Sequence, residues 1–412
     1  MITVKPFAAL RPKNEYVKEC AALPYDVMSS EEARKEVVGK KYSFLHIDKA
    51  EIDLDESIDL YDAQVYQKAA ENLKNFEAVG VYEQDAQKQF YFYREIMDGR
   101  AQTGIVGCAS IDDYLENRIK KHELTRADKE ADRIRHVDTC AAQTGPIFLA
   151  YRDSIKLDEI ICQETQKTPL YDFQSDDGVQ HTVWRCDCPE TNAKIEEAFK
   201  ELDALYIADG HHRAASAVKA GLKRRENNAN TTGEEEYNYF LSVIFPANTL
   251  KIMDYNRVLK DLNGMSVEEF LCAVEKSLGK VSEYHGDVCR PAQTHTIGLF
   301  VGGKWYSVEF KEEICNAEKA SERLDCSILQ RKFLAPVMGI EDPRTDKRID
   351  FVGGIRGLKY LETLCEKGGA AIAMYPTSLN ELMSVADAGE IMPPKSTWFE
   401  PKLRSGIFIH KI

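Results

Sequence analysis

An α/β fold divided into two units is the class this sequence predicts, and three observations predict it. Short apolar runs of strand length alternate with amphipathic stretches of helical period. A length of 412 residues exceeds the usual size of one domain. Near the middle, a buried-strand pattern passes directly through Asp209-Gly210-His211-His212-Arg213 into an alanine-rich helix. Composition agrees, with 43% hydrophobic and 30% charged residues. The formal net charge of -14 argues against a broad surface for nucleic acid or anionic lipid, yet leaves room for a local basic pocket. No run is apolar for the length of a membrane span, and the first residues lack a secretory pattern. The eleven cysteines are scattered, and Cys186 and Cys188 form the only close pair, so free thiols in a reducing cytoplasm are expected.

Taken in order, residues 4–8 read as a strand and Arg11-Pro12 as a turn. Ser30 is placed to cap a helix starting at Glu31, and residues 66–76 carry a helical apolar pattern closed by Gly80. Residues 89–93 and 103–109 read as strands. Thr125 is placed as the cap of a further helix, with Asp128 at its third position. Thr144-Gly145-Pro146 is a turn before a strand over 147–151, whereas 152–188 reads as polar, variable surface. Residues 205–208 form a strand, 214–220 a helix that Gly221 would end, 224–236 an exposed loop, and 239–245 a strand. Two domains follow, 1–246 and 247–412, with the final segment of the second returning to the active site. The second holds a helix over 267–278, strands at 296–300, 305–310 and 349–354, and a turn over 392–398.

The central loop carries the chemistry. Gly210 leaves space where a ligand oxygen would approach the backbone. The amides of His211, His212 and Arg213 fall in the unsatisfied first turn of the helix, which favours phosphate. Arg213 adds a forked donor. Asp209 would repel phosphate, so its place is explained by holding Mg2+, receiving a proton or orienting a histidine. A plain turn with a capping aspartate is the structural alternative. Adjacent histidines do not share a helix face, so His211 and His212 alone are no metal pair. Lys129, Arg133 and His136 share one face of the preceding helix and could hold an anion, or simply face solvent.

Residues 207–213, followed by Ala215, resemble the corresponding segment of ADP-dependent free-serine kinases, members of the ParB/sulfiredoxin-like nucleotide-binding superfamily. The whole chain resembles the family called domain of unknown function 1015. That likeness rests also on Leu23-Pro24-Tyr25-Asp26-Val27, Lys121-His122-Glu123-Leu124-Thr125, Asp132-Arg133, Gly145-Pro146-Ile147-Phe148, Asp254-Tyr255-Asn256-Arg257 and the stretch 392–402. The resemblance implies a mixed α+β ParB/sulfiredoxin-like core with a second α/β unit. It assigns nucleotide phosphates to Gly210, His211, His212 and Arg213. Sulfiredoxins carry their reactive cysteine where this chain has His211, which opposes that chemistry. ParB proteins add a DNA-binding module, and no basic helix-turn-helix segment is evident.

In the serine kinases an N-terminal glutamate is the base. Its counterpart would be Glu15, with Asp26 and Glu123 as substitutes, while Asp209 and His212 complete the catalytic set. Pro394-Lys395-Ser396-Thr397 matches that group's terminal motif, so Lys395, Ser396 and Thr397 join Lys129, Arg133 and His136 as candidate phosphate contacts. The function implied is phosphoryl transfer from ATP or ADP, with Mg2+ at Asp209, to a small hydroxyl metabolite, L-serine first. A nucleotide sensor is the alternative, and nuclease chemistry a weaker third. No membrane or nucleic-acid partner is expected, and a homo-oligomer is compatible with the sequence.

Overall fold

A computed structural model describes residues 1–366 and 368–412. The chain divides into two compact units, one of residues 1–250 with 401–412, the other of residues 251–400. Both are mixed α/β.

The first unit is built on a nine-stranded sheet. In chain order its strands are β1 (Val4–Lys5), β2 (Tyr91–Met97), β3 (Arg100–Ser110), β4 (Ile119–Lys120) and β5 (Ile147–Tyr151), followed by β6 (Tyr171–Gln174), β7 (Gln180–Arg185), β8 (Leu205–Asp209) and β9 (Tyr239–Pro246). Across the sheet the order is β4-β8-β5-β9-β3-β2-β7-β6, with β1 on β3. Only β4–β8 and β5–β9 are parallel pairs. Every residue of β5 and β9 is buried, as expected of strands covered on both faces. Ile147, Leu149, Ile207, Phe240 and Ile244 meet the apolar side of helices packed on the sheet.

Three long helices matter to the site: α1 (Ala63–Ala78), α2 (Ala127–Cys140) and α3 (His211–Asn227). Asp62 caps α1 through the Gln64 amide. Thr125 does not cap α2; its hydroxyl donates to Glu130 instead, and the N-cap is Arg126 with no side-chain bond. Ser29, not Ser30, caps the short helix Ser30–Glu36, in a reciprocal capping box with Glu32.

Two expectations fail for packing reasons. Gly221 does not end α3, which runs on to Asn227; a Cβ there would lie 2.3 Å from the Tyr237 carbonyl oxygen, so the glycine permits close approach. The stretch 152–188 is not mere surface. It contains helix Ile155–Glu164 and the antiparallel pair β6–β7, which completes one side of the sheet.

The second unit has a six-stranded antiparallel sheet. Its strands are β10 (Tyr255–Leu259), β11 (Gly279–Tyr284), β12 (Thr296–Val301), β13 (Lys304–Phe310), β14 (Ile349–Gly353) and β15 (Ala370–Met374). Helix Val267–Ser277, capped by Ser266, and the expected strands at its centre are present. Residues 401–412 belong to the first unit, where Ala22 pairs with Ser405, Leu10 with Ile409 and Gln143 with His410. All eleven cysteines are free thiols. Among the described residues no helix is long and apolar enough to cross a membrane.

Candidate functional site

Sheet register brings three loops to one edge of the first unit. Parallel pairing sets Leu205 of β8 opposite Ile119 of β4 and Tyr206 opposite Lys120. The residues after each strand, His122 with Glu123 and Gly210 through Arg213, therefore emerge on the same side. β5 runs antiparallel to β8, pairing Phe148 with Asp209, so Thr144 and Gly145 arrive there as well.

Gly210 is the N-cap of α3 with φ +91°, a conformation that favours glycine. Gly210 has no side chain to cap this helix, so the first-turn amides of His211, His212 and Arg213 have no capping acceptor at that position. The Gly210 amide itself donates to Asp209 Oδ1 at 2.9 Å, and Lys402 Nζ lies 3.0 Å from Asp209 Oδ2. Burial alone would raise the Asp209 carboxyl, but Lys402, Arg213 and the two hydrogen bonds hold it well below the usual carboxylate range.

Arg213 folds back over the loop. A Cβ at Gly210 would lie 3.1 Å from both its Cζ and its Nε. The missing side chain thus makes room for a guanidinium, where the sequence reading had placed a ligand oxygen. Arg213 Nη1 donates to the Pro146 carbonyl, while its buried Nε has no partner among the described residues.

Beside it opens a small cavity of about 30 Å³, whose lining includes Tyr25, Asp48, Arg133, Thr144, Gly145 and Arg213. Asp48 is the only carboxylate in the lining; its Oδ1 accepts from Thr144 Oγ1 at 2.7 Å. The Arg133 guanidinium sits 4.1 Å from the centre of the Tyr25 ring, with Nε 2.8 Å from Asp132 Oδ2. Burial would lower the Arg133 pKa, but Asp132 and Tyr25 keep it above its ordinary value. Two fixed cations on one cavity, one of them in the first turn of α3, suit an anion.

A family model described as protein of unknown function (DUF1015) matches residues 4–327. The chain belongs to the DUF1015 family. No curated protein matches it in sequence. Similar solved structures include a C-terminally truncated SbnI from Staphylococcus aureus, 11% identical, covering 73% of this chain and 85% of that one at a TM-score of 0.38. A free serine kinase mutant in complex with ADP is 15% identical over 70% of this chain and 85% of its own, at 0.35. A conserved hypothetical protein from Pyrococcus furiosus is 15% identical over 73% and 93%, at 0.34.

Within this DUF1015 protein the other candidate residues disperse. Of the stripe on α2, only Arg133 and His136 line the cavity. His136 is buried, with Nε2 3.0 Å from the Ile47 carbonyl, and Lys129 turns to the Tyr61 hydroxyl at 3.1 Å. Glu15 is exposed in the turn before helix Val17–Cys20. Asp26 is exposed near His212, whose pKa burial lowers and whose Nε2 accepts from the Arg126 amide at 3.1 Å. Glu123 is half-buried, its Oε2 4.0 Å from His211 Nδ1. Lys395, Ser396 and Thr397 belong to the second unit. There Ser396 is buried and donates to the Pro393 carbonyl at 2.6 Å, and the Lys395 ammonium lies over the Tyr255 ring.

Sequence reasoning passed over Tyr25, Asp48, His122, Thr144 and Lys402. Tyr25, His122 and Lys402 stand inside stretches that carried the family resemblance. Asp48, in the short helix Leu45–Asp48, has no local signal.

Proposed function

We propose that the first unit binds a nucleotide through its phosphates and passes one phosphoryl group to a small hydroxyl metabolite, with free L-serine the first candidate. The observation that supports this reading is that two guanidinium groups, Arg133 and the Arg213 of the first turn of α3, line one cavity. Positioning and charge neutralisation dominate phosphoryl transfer, and this set of donors is suited to both.

In this reading the amides of His211, His212 and Arg213 cradle the phosphates of ATP or ADP. Arg133 and Arg213 hold the transferred group or the acceptor's carboxylate. The acceptor oxygen forms the new P–O bond as the nucleotide's bond to that phosphorus breaks, and the hydroxyl proton passes to a carboxylate. Asp48, which lines the cavity, and Asp26 and Glu123 are the candidate bases; Glu15 takes that role only if its turn moves. Mg2+ takes carboxylate and phosphate oxygens. Asp209 is the right kind of ligand, and binding there would require Lys402 to turn from its carboxylate toward phosphate. The reading is built from the first unit alone.

Incubation with ATP or ADP, Mg2+ and L-serine should yield phosphoserine, read by 31P NMR and mass spectrometry. Nucleotide binding with no product across a broad panel of hydroxyl metabolites would instead favour a sensor. One observation leans toward that second reading: Asp48, the only carboxylate lining the cavity, is already bonded to Thr144.

A further inference from the structure

At the same edge of the sheet His122, Glu123 and His211 stand together, and the phosphate-binding reading makes no use of either imidazole ring as a ligand. One nitrogen from each histidine and one carboxylate oxygen all lie within 4.8 Å of one another. The cause is topological. His122 follows β4 and His211 follows β8, and the parallel register of those strands delivers both rings to one point. The rings meet edge to face with centroids 4.4 Å apart.

We propose that His122, Glu123 and His211 form a binding site for a divalent transition-metal ion of the Zn2+ class. Two imidazoles and one carboxylate are a ligand set for Zn2+ or Fe2+ that leaves a coordination position open, and they are poor ligands for Mg2+. The site is therefore distinct from any Mg2+ that enters with nucleotide phosphates.

His122 supplies the independent sign of a missing ligand. It is 2% exposed, and neither ring nitrogen makes a hydrogen bond of good geometry among the described residues, though the Ile207 backbone is near enough to act on the ring. A buried imidazole always carries a polar atom to satisfy, so a ring with two orphaned nitrogens is anomalous. A metal ion bonded to one of them removes the anomaly.

On His211 the inward atom is Nδ1, 4.0 Å from Glu123 Oε2. Its Nε2 receives only a long 3.4 Å contact from the His122 amide. Metal at Nδ1 moves the ring proton to Nε2 and gives up that contact, a small loss. Tetrahedral Zn2+ with bonds near 2.0–2.1 Å sets its ligands roughly 3.4 Å apart, so the cluster closes by about 1 Å on loading.

The test uses the full chain, stripped with a chelator and titrated with Co2+ or Zn2+ alone. One equivalent of Co2+ should bind with the visible absorption of a four- or five-coordinate site, be displaced by Zn2+, and persist in excess Mg2+. X-ray absorption of the Zn2+ form should report imidazole and oxygen scatterers with no sulfur. His122→Ala should weaken binding by more than the roughly 10–100-fold that outer-shell changes cost, with Glu123→Gln showing a smaller loss. Should H122A not fold, E123Q and the wild-type spectra decide. Absence of stoichiometric binding, sulfur ligation, or affinity unchanged in the folded variants would overturn the proposal and leave an edge-on histidine pair.

Discussion

The Arg213 guanidinium lies against Gly210, so two demands fall on one glycine: a left-handed backbone and space for a neighbour's side chain. Gly210→Ala should therefore lower unfolding stability by about 1–2 kcal/mol from the backbone alone, read by urea denaturation. It should also weaken nucleotide binding, because the guanidinium must move. Arg213→Lys keeps the charge but loses the fork. With charged hydrogen bonds worth about 1.5–3 kcal/mol, the variant should bind ADP roughly 10–100-fold more weakly by calorimetry, and an unchanged affinity would remove Arg213 from the phosphate site. At this scale the loop was legible because a glycine before a helix start and an arginine within its first turn have few uses. The partners were not. Asp209 meets Lys402 and Gly145 faces Arg213 across long sequence separations that leave no local pattern.

Elements with a clear period were legible, and those that depend on a neighbour were not. Strands β5 and β9 are runs of buried apolar residues, and helix Val267–Ser277 carries its Ser266 cap. The β6–β7 pair escaped notice because β7 is held by pairing with β2, and β6 by pairing with β7, rather than by their own composition. Gly221 shows the same limit. As a helical residue it should gain about 1 kcal/mol on replacement by alanine. The new Cβ would meet the Tyr237 carbonyl at 2.3 Å, though, so Gly221→Ala should be destabilising by about 1–3 kcal/mol in denaturant titrations. In the second unit, Asp325 opens helix Asp325–Leu329, where burial pushes its carboxyl up to about 7, with the His295 amide opposing and Glu381 adding. Its unfolded value is near ~3.9, so the native state holds the proton more tightly. Stability from this group is complete below about pH 4 and is lost as pH rises through about 7. Asp325→Asn should flatten the pH dependence of the thermal midpoint across that window; an unaltered slope would contradict the assignment.

For the whole molecule, the decisive fact is that the first unit is discontinuous in sequence. Leu403, Ile407, Phe408 and Ile409 are buried in it, none more than 3% exposed. At about 1.5–3 kcal/mol per buried side chain they contribute roughly 6–12 kcal/mol, as much as the entire stability of a typical domain. Deleting residues 401–412 should therefore unfold the first unit, read as loss of near-ultraviolet dichroism, and not merely loosen its edge. The same segment carries Lys402 to Asp209, so the removal also strips the loop of its neutralising charge.

This layout reverses the usual order of assembly on the ribosome. Domains ordinarily fold from the N-terminus as they emerge. Here residues 1–250 must wait, because the strand partners of Leu10, Ala22 and Gln143 are synthesised only after residue 400. The contiguous second unit is complete earlier and can fold while the first is still open. A chain cut at residue 400 would thus keep a contiguous second unit but a first unit lacking the partners of Leu10, Ala22 and Gln143 and the charge of Lys402 beside Asp209.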